Sequence, residues 1–420
     1  MKSRAPGNVN RRRICSRAGV TKRFQPLAFA LALTACASTA PPPAPEPQPS
    51  FRVVGYASNR TNFEAIDPLD LTHINYAFAK VRGDDRVVFE NADAAADLAK
   101  LRALKSVNPE LKVILSIGGW GAEWFSDAAL TAGSRCRFAS SAVALMKEHG
   151  LDGIDIDWEY PGQAGAGNRN RAEDKQNFTL MLEAVRRELD HSGHRDATLS
   201  IATSGGRYFR YVEMERVAAI VDWVNVMSYD MAGGSSAVTG HHAPLHASDE
   251  RSAEAYVSQH LAAGVPAEKI VVGLPFYGRT WKWVVNRKSS TGLGEPFDWF
   301  GPDVSYADID FTRFVRGWDA AAKAPYLWNA ETGTFISYED PRSLAEKARF
   351  VKDRRLGGVM FWEQRHDPSG TLLGAVASVL LPRPGEPLRT RGGRESRDRT
   401  ASGPDSPDNR DERPGSGNRR

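Results

Sequence analysis

The chain has 420 residues, 41% of them hydrophobic and 25% charged, and these ordinary proportions exclude disordered, collagen-like and polytopic membrane proteins. The formal net charge of +4 arises at the two ends, because residues 37–382 carry 37 Lys or Arg against 44 Asp or Glu, a net charge of −7. An acidic body argues against a nucleic-acid partner, whose phosphates require a basic face, and fits a neutral or cationic ligand better.

The first 36 residues have the order of an export signal. A basic stretch from Met1 to Arg23 precedes an apolar run, Pro26–Ala37, which is shorter than the ~20 apolar residues of a membrane-spanning helix. The run ends in Leu-Thr-Ala-Cys, which resembles a bacterial lipobox and predicts a lipid on Cys36. We therefore expect an exported lipoprotein of the outer membrane or cell surface that touches the membrane only through this lipid. Ordinary cleavage nearby would give a periplasmic or secreted protein instead.

Two further segments flank the body of the chain. Residues 37–50 are rich in proline and predict a semi-rigid linker, whereas residues 382–420 are rich in Arg, Gly, Pro, Asp and Ser and predict a disordered tail. Two of the three cysteines fall in the leader, so no disulfide framework is expected. The third, Cys136, lies in a predicted helix and is interpreted as a small core residue.

Across residues 51–381, short β-rich runs alternate with helical patterns, which predicts a parallel sheet. Eight runs in about 330 residues favour an α/β fold of the (β/α)8 TIM-barrel type over the alternative, a doubly wound open sheet. The predicted strands are Arg52–Tyr56, Thr72–Ala79, Lys112–Ile117, Gly153–Glu159, Thr198–Thr203, Trp223–Tyr229, Lys269–Phe276 and Gly358–Glu363. The predicted helices are Ala94–Lys105, Ser134–His149, Arg171–Asp190, Val212–Ala219, Ala253–Ala263, Pro341–Arg354 and Thr371–Leu380.

One connection is too long to be a loop. Residues 281–338 separate the seventh and eighth predicted strands and include several aromatic residues and short β-like pieces, so we expect a small α+β insertion subdomain beside the cleft. Its tryptophans could serve as sugar platforms or as subdomain core, and the sequence leaves both possibilities open. They are Trp281, Trp299, Trp318 and Trp328.

The fourth predicted strand carries the candidate chemistry. Its period of two places Asp155, Asp157 and Glu159 on one face, about 6.6 Å apart from one to the next, and Ile154, Ile156 and Trp158 on the other. In a barrel the acidic face points inward. Like charges in a confined site cannot all ionise, so the carboxylates should share protons and at least one pKa should rise. Asp152 falls outside this alternation and is expected to be structural.

Two other interpretations of these residues are weaker. A half-exposed strand would leave the acids in water, but barrel strands have no solvated face. Three carboxylates could bind a divalent metal ion, but the strand contains no histidine. His241 and His242 are adjacent in sequence, so their side chains should diverge, and we expect neither a metal site nor a cofactor.

Together the motifs resemble glycoside hydrolase family 18, the chitinase family. Residues 152–159 resemble its D-G-x-D-x-D-x-E signature, residues 116–119 its S-x-G-G motif, and residues 227–230 its M-x-Y-D motif. The likeness extends over residues 52–381 through further segments: residues 74–79, 239–245, 274–279 and 358–362.

The resemblance implies a retaining mechanism in which the substrate's own acetamido oxygen attacks, in place of an enzyme carboxylate. It implies that Glu159 is the general acid and then the base, that Asp157 orients the acetamido group, that Asp155 shares a proton with Asp157, and that Tyr229 hydrogen-bonds the acetamido carbonyl. The resemblance further implies the following substrate-binding residues: Trp120, Met227, Asp230, Tyr277, Arg279 and Trp362.

The sequence therefore predicts a monomeric chitinase acting on chitin or chitooligosaccharides. One alternative is an endo-β-N-acetylglucosaminidase acting on glycoprotein glycans, which uses the same acetamido chemistry. The other is a non-catalytic chitin-binding lectin on the same barrel, which the intact Glu159 disfavours.

Overall fold

A computed structural model describes residues 50–285 and 291–381. The predicted leader with Cys36, nearly all of the predicted linker and the predicted tail lie outside the described residues. In chain order, the strands are β1 (Arg52–Ser58), β2 (His73–Val81), β3 (Val87–Val88), β4 (Lys112–Gly118), β5 (Gly153–Asp157), β6 (Thr198–Thr203), β7 (Trp223–Val226), β8 (Ile270–Pro275), β9 (Tyr277–Lys282), β10 (Trp299–Phe300), β11 (Val304–Ser305), β12 (Val315–Asp319), β13 (Ala324–Asn329), β14 (Thr334–Ser337) and β15 (Gly358–Trp362).

The helices alternate with the strands of the first sheet. In chain order they are α1 (Ala94–Ala103), α2 (Phe125–Ala128), α3 (Ala132–Glu148), α4 (Asp174–His191), α5 (Met214–Ile220), α6 (Ala253–Ala262), α7 (Pro341–Asp353) and α8 (Thr371–Leu380). Within the described ranges, no helix combines the length and the apolar character needed to cross a membrane.

Eight strands close into a parallel barrel, which confirms the predicted fold class. The ring runs β1-β2-β4-β5-β6-β7-β8-β15 and returns to β1, and every neighbouring pair is parallel. The short strand β3 forms an antiparallel hairpin with β2 above the ring. Two predicted strands end at least two residues early: β5 stops at Asp157 and β7 at Val226. Glu159 and Tyr229 therefore lie on the loops at the carboxyl ends of their strands, where the active sites of such barrels are built.

Local sequence explains how the outer helices start. The side chain of Asp340 caps α7 by accepting a hydrogen bond from the Ser343 amide at 2.8 Å, and Ser343 reciprocates on the Asp340 amide. Pro341 follows at the first helical position, where its missing N–H costs nothing. A reciprocal cap of this kind stabilises a helix by about 1 kcal/mol. Thr131 and Ser134 build the same arrangement at α3.

Helix α3 corrects one prediction, because Cys136 is exposed rather than part of the core. The buried face of this helix carries Phe138, Ala139, Ala142 and Val143. Two residues before Phe138, at ~100° per residue, Cys136 points about 200° away from that face. The interpretation of Cys136 as a small core residue was therefore wrong, because it lies on the side of the helix opposite to that face.

A second sheet lies between β8 and β15, in the order β10-β9-β14-β13-β12, with β11 also paired to β9. It begins at Tyr277, four residues before the predicted boundary at residue 281. Its described part contains two single turns of 3-10 helix, Tyr306–Asp308 and Phe311–Arg313. Trp281 and Trp328 are buried in its core with Phe335, whereas Trp299 and Trp318 are half-buried. The question that the sequence left open is thus settled for the two buried tryptophans, which are core residues.

Candidate active site

The acidic strand β5 places two carboxylates inside the barrel and one at its mouth. Asp155 is fully buried, Asp157 is buried, and Glu159 is half-buried two residues beyond the end of the strand. On the opposite face, Ile154 and Ile156 join the large core between the barrel and its helices. The neighbouring strand β4 approaches closely at Gly118, where a Cβ would lie 2.0 Å from the carbonyl oxygen of Asp157.

Four side chains from four other barrel strands surround Asp155. The Tyr56 and Ser116 hydroxyls each donate to Oδ2 at 2.8 Å, and Ser200 Oγ and Asn225 Nδ2 donate to Oδ1 at 2.7 and 3.1 Å. Tyr56 must donate its proton to the carboxylate, because its oxygen accepts a hydrogen bond from Asn225 at 3.3 Å. Burial raises the pKa of Asp155, and these four donors oppose that rise by stabilising the anion.

Asp157 lies in a very different environment. Its Oδ1 atom is buried and has no hydrogen-bond partner within the protein. Burial, followed by the charges of Glu159 and Asp155, raises the pKa of Asp157 well above its usual range. Because Asp155 is surrounded by donors and Asp157 is not, a proton shared between these two carboxyls resides on Asp157.

Glu159 has a pKa that suits a group which both donates and accepts a proton near neutral pH. Burial and the negative charge of Asp230 raise the pKa of Glu159 to about 7, against the opposing effects of a hydrogen bond with Tyr160 and the charge of Lys80. A carboxyl with this pKa is protonated in part of the population at neutral pH and ionised in the rest. Glu159 can therefore give up a proton and take one back near neutral pH.

Asp230 is the ionised carboxylate of the site. Arg279 bonds it through two nitrogens, Nε to Oδ1 at 2.7 Å and Nη2 to Oδ2 at 2.6 Å, and Tyr277 donates to Oδ1 at 2.9 Å. His242 Nδ1 lies 3.6 Å from Oδ1. Burial opposes ionisation, but His242 and Arg279 together hold the pKa of Asp230 far below its usual range. Arg279 also pairs with Asp303, which fixes its guanidinium between two carboxylates.

Aromatic residues form the floor and one end of the site. The Trp362 ring stacks on Phe78 with 5.5 Å between ring centroids, and Tyr56 packs against it at 5.7 Å. Tyr160 stacks on Tyr208 at 4.2 Å. Such faces suit the apolar side of a sugar ring, which carries only C–H groups.

These groups line one cavity of about 510 Å³ at the carboxyl end of the barrel. Its lining includes nearly all of the predicted site residues: Trp120, Asp157, Glu159, Met227, Tyr229, Asp230, Tyr277, Arg279 and Trp362. Asp155 lies below this lining. The lining also includes six residues that were not predicted: Phe78, Tyr160, Ser204, Tyr208, Tyr256 and Asp303. Phe78 and Tyr160 adjoin predicted motifs and could have been found from their positions at strand ends, whereas the other four carry no local signal.

Three predicted side chains differ in exposure. Trp120 is exposed at 63% of its surface, Met227 is buried with Met360 inside the barrel mouth, and Tyr229 is half-buried, its hydroxyl 4.0 Å from the Met360 sulfur. Burial and the surrounding carboxylates raise the pKa of Tyr229 well above its usual range, so its hydroxyl keeps its proton. Tyr229 can therefore donate a hydrogen bond to a ligand.

The two adjacent histidines have different partners, as the sequence indicated. His241 Nε2 contacts Asp319 at 3.2 Å, whereas His242 faces Asp230. Among the described residues, no group of three or more His, Cys, Asp or Glu is arranged to hold a metal ion. Asp152 bonds Lys105 at 2.6 Å and the Val113 amide at 2.7 Å, outside the cavity.

The site combines Glu159, whose pKa is about 7, two buried carboxyls with raised pKa values, and an aromatic floor. Residues 52–367 match the family described as glycosyl hydrolases family 18. The chain belongs to this family. Its named relatives include proteins described as chitinases.

Three family 18 relatives illustrate the similarity. Chitinase A1 of Niallia circulans is 35% identical over 79% of this chain, which spans 58% of that protein. The solved chitinase ChiW from a Paenibacillus species is 36% identical, with a TM-score of 0.73, over 80% of this chain and 43% of that one. A solved family 18 N-acetylglucosaminidase from Paenibacillus barengoltzii is 42% identical, with a TM-score of 0.72, over 79% of this chain and all of that one.

Proposed function

We propose that this protein is a chitinase that hydrolyses β-1,4 linkages between N-acetylglucosamine units with retention of configuration. The observation that carries the proposal is the pairing of Glu159, whose pKa is raised to about 7, with Asp157 two residues before it, whose pKa is raised well above its usual range, above the Trp362 floor. The named chitinase relatives support chitin as the substrate class.

In the first step Glu159 donates its proton to the glycosidic oxygen. The bond between C1 and that oxygen breaks, and its electron pair stays with the leaving sugar. The acetamido carbonyl oxygen of the same substrate sugar bonds to C1 and forms an oxazolinium ion. Glu159 then takes a proton from water, whose oxygen attacks C1. The bond between C1 and the acetamido oxygen breaks, which opens the oxazolinium ring and leaves the configuration at C1 retained.

Asp157 and Tyr229 hold the acetamido group. Asp157 accepts a hydrogen bond from the acetamido N–H and shares its own proton with Asp155, so that negative charge can develop beside the oxazolinium ion. Its unpartnered Oδ1 is available for this contact. Tyr229 donates its hydroxyl proton to the acetamido carbonyl, in keeping with its raised pKa.

The remaining side chains bind the sugars. Trp362 supports the reacting ring from below, and Met227 packs beneath the site. Trp120 offers an exposed face for a neighbouring sugar. Asp230 and Arg279, with Tyr277, contact sugar hydroxyls through an ion pair that is already assembled.

The decisive experiment is hydrolysis of chitotetraose by the purified protein and by Glu159→Gln, with the products identified. We expect wild type to release chitobiose and the variant to lose about 10² to 10⁴-fold in rate, the range for a general acid. Glutamine keeps the shape of the side chain but replaces the carboxyl with an amide, which cannot act as a general acid or base. Binding without cleavage by wild type would contradict the proposal.

A second activity is worth testing in the same assay, because one relative at 42% identity is described as an N-acetylglucosaminidase. Release of single N-acetylglucosamine units from chitotetraose, with chitotriose as the partner product, would identify that activity here. The relatives favour neither the glycan-directed endo-β-N-acetylglucosaminidase nor the non-catalytic lectin.

We also propose that the protein is an exported lipoprotein that acts as a monomer. The proposal rests on the leader sequence and its Cys36. A relative described as a cell-surface-expressed enzyme, ChiW, is in keeping with it. Cys36→Ser should move the protein from the membrane fraction to the soluble fraction, and full retention in the membrane fraction would contradict acylation. Sedimentation of purified residues 51–382 measures the molecular mass in solution and so tests the proposed monomeric state.

A further inference from the structure

We infer that Lys80 is a positioning residue whose fixed ammonium group sets the alkaline limit of hydrolysis. The inference rests on the proposed role of Glu159 as the general acid. Neither the sequence motifs nor the aromatic lining of the cavity includes this lysine. It is nevertheless a half-buried cation at the barrel mouth, and its charge acts on both Asp157 and Glu159.

An irregularity in strand β2 directs Lys80 toward the site. Ala77 pairs with Ser116, but the next paired residue is Ala79, with Ile117, so Phe78 is an extra residue in the strand. Ala79 then packs into the core between the barrel and its helices. Because alternate residues of a strand point to opposite faces, Lys80 points to the inner side.

The ammonium group is held in place at this position. Nζ donates to the Gly118 carbonyl oxygen at 2.6 Å and lies 5.2 Å from the centre of the Phe78 ring, which stacks on Trp362. Gly118 is the register partner of Asp157, and the next amide, Gly119, donates to the Asp157 carbonyl oxygen at 2.9 Å. The cation is thus anchored to the strand that borders the acidic strand.

Several charged groups act on the carboxyls of the site. Asp230, beyond the end of β7, raises the pKa of Glu159; Asp155 and Glu159 raise the pKa of Asp157. Lys80 opposes these effects on both carboxyls, because a nearby cation stabilises the ionised form.

The charge state of Lys80 itself reflects two opposing effects. Burial lowers the pKa of Lys80, whereas Glu90, Asp157 and Glu159 raise it. Burial has the larger effect, so the pKa of Lys80 lies below its usual value, while the acidic neighbours and the Gly118 carbonyl acceptor stabilise the ammonium form.

The sign of the effect follows directly. Without the ammonium charge, the anion of Glu159 is less stable and its pKa rises. The general acid then stays protonated to higher pH. The alkaline limb of the pH profile of kcat/KM, where the rate falls, therefore moves to higher pH. For a partly solvated cation acting on a carboxyl, a movement of about 0.5 to 1 pH unit is expected.

The test compares Lys80→Gln, Lys80→Met and Lys80→Arg in the full chain, with kcat/KM for chitotetraose measured from pH 5 to 10. Glutamine removes the charge but retains an N–H donor for Gly118, whereas methionine removes both. Arginine keeps the charge. We expect the alkaline limb to move to higher pH in Lys80→Gln and Lys80→Met, which lack the charge. In Lys80→Arg it should stay near its wild-type pH.

Two outcomes would overturn the inference: an unmoved limb in Lys80→Gln, or a limb that moves in Lys80→Met alone, since the latter would follow the lost hydrogen bond rather than the lost charge. A readout independent of activity is the melting temperature as a function of pH. Its decline through the titration of Glu159 should begin at the same pH, which the unfolded chain sets, and should end at a higher pH in Lys80→Gln. If wild type hydrolyses no chitooligosaccharide while this curve still moves, the proposed function fails and the effect of Lys80 on Glu159 stands.

Discussion

Replacing Asp155 with asparagine tests a fully buried carboxylate that four side-chain donors surround. The native carboxylate accepts all four hydrogen bonds from Tyr56, Ser116, Ser200 and Asn225. An asparagine of the same shape offers one oxygen and an NH2 group, so two of the four donors lose their acceptor and face another donor. The site is fully buried, and water cannot reach the donors to compensate.

The cost can be estimated from those two groups. A buried donor left without an acceptor costs about 1 to 3 kcal/mol, so two of them cost about 2 to 6 kcal/mol. With an unfolding entropy of about 2.1 cal/mol/K per residue over ~330 ordered residues, this corresponds to a melting temperature lower by roughly 3 to 9 °C.

Thermal unfolding of wild type and Asp155→Asn at pH 6, followed by near-UV circular dichroism, measures this shift. Ser200→Ala is the matched control, because it removes one donor and leaves the carboxylate intact; it should cost about 1 to 2 kcal/mol. If Asp155→Asn melted within 1 °C of wild type, the four hydrogen bonds to Asp155 would contribute nothing to stability. The assignment of the shared proton to Asp157 would then lose its physical basis.

Three further predictions follow from the charged and aromatic groups of the cavity. Because folding raises the pKa of Glu159 from 4.5 to about 7, folding favours its protonated form; its contribution to stability is complete below pH 4.5 and is lost as pH rises through 7. The melting temperature should therefore fall over that range, and less steeply in Glu159→Gln. Arg279→Met leaves Asp230 without its bidentate partner and should raise KM for chitotetraose about tenfold, the equivalent of one charged hydrogen bond; an unchanged KM would mean that the ion pair does not organise the sugar site. Trp362→Ala removes the floor and should weaken binding of chitotetraose to the Glu159→Gln protein by about tenfold or more, measured by calorimetry; equal affinity would place the sugar elsewhere.

The alternation of one strand predicted from sequence where the candidate carboxyls lie. Asp155 and Asp157 are spaced by two, and a β-strand places such residues on one face, whereas Glu159 follows two residues beyond the strand end. The number of strand-helix repeats likewise predicted the closed barrel, because each repeat adds one parallel strand. Both signals are local, so neither required knowledge of which residues meet in space.

The hydrogen-bond partners of those carboxylates could not be predicted in the same way. Tyr56 and Asn225 are separated by 169 residues, yet both bond Asp155. Each such contact depends on the register between strands, which closure of the barrel sets and no single segment encodes. For the same reason, the sequence could not show that Asp155 has four donors while Asp157 Oδ1 has none.

Faces and strand irregularities were also decided by the tertiary structure. Cys136 was expected in the core because free cysteines are usually buried, but only the packing of α3 through Phe138 shows which side faces the barrel. Likewise, only the register of β2 against β4 shows the extra residue at Phe78 that directs Lys80 inward. The sequence by itself determined the barrel and the acidic strand, because periodicity is local; the tertiary structure decided which neighbours set the charge of each carboxyl, because electrostatic and hydrogen-bond partners come from distant segments.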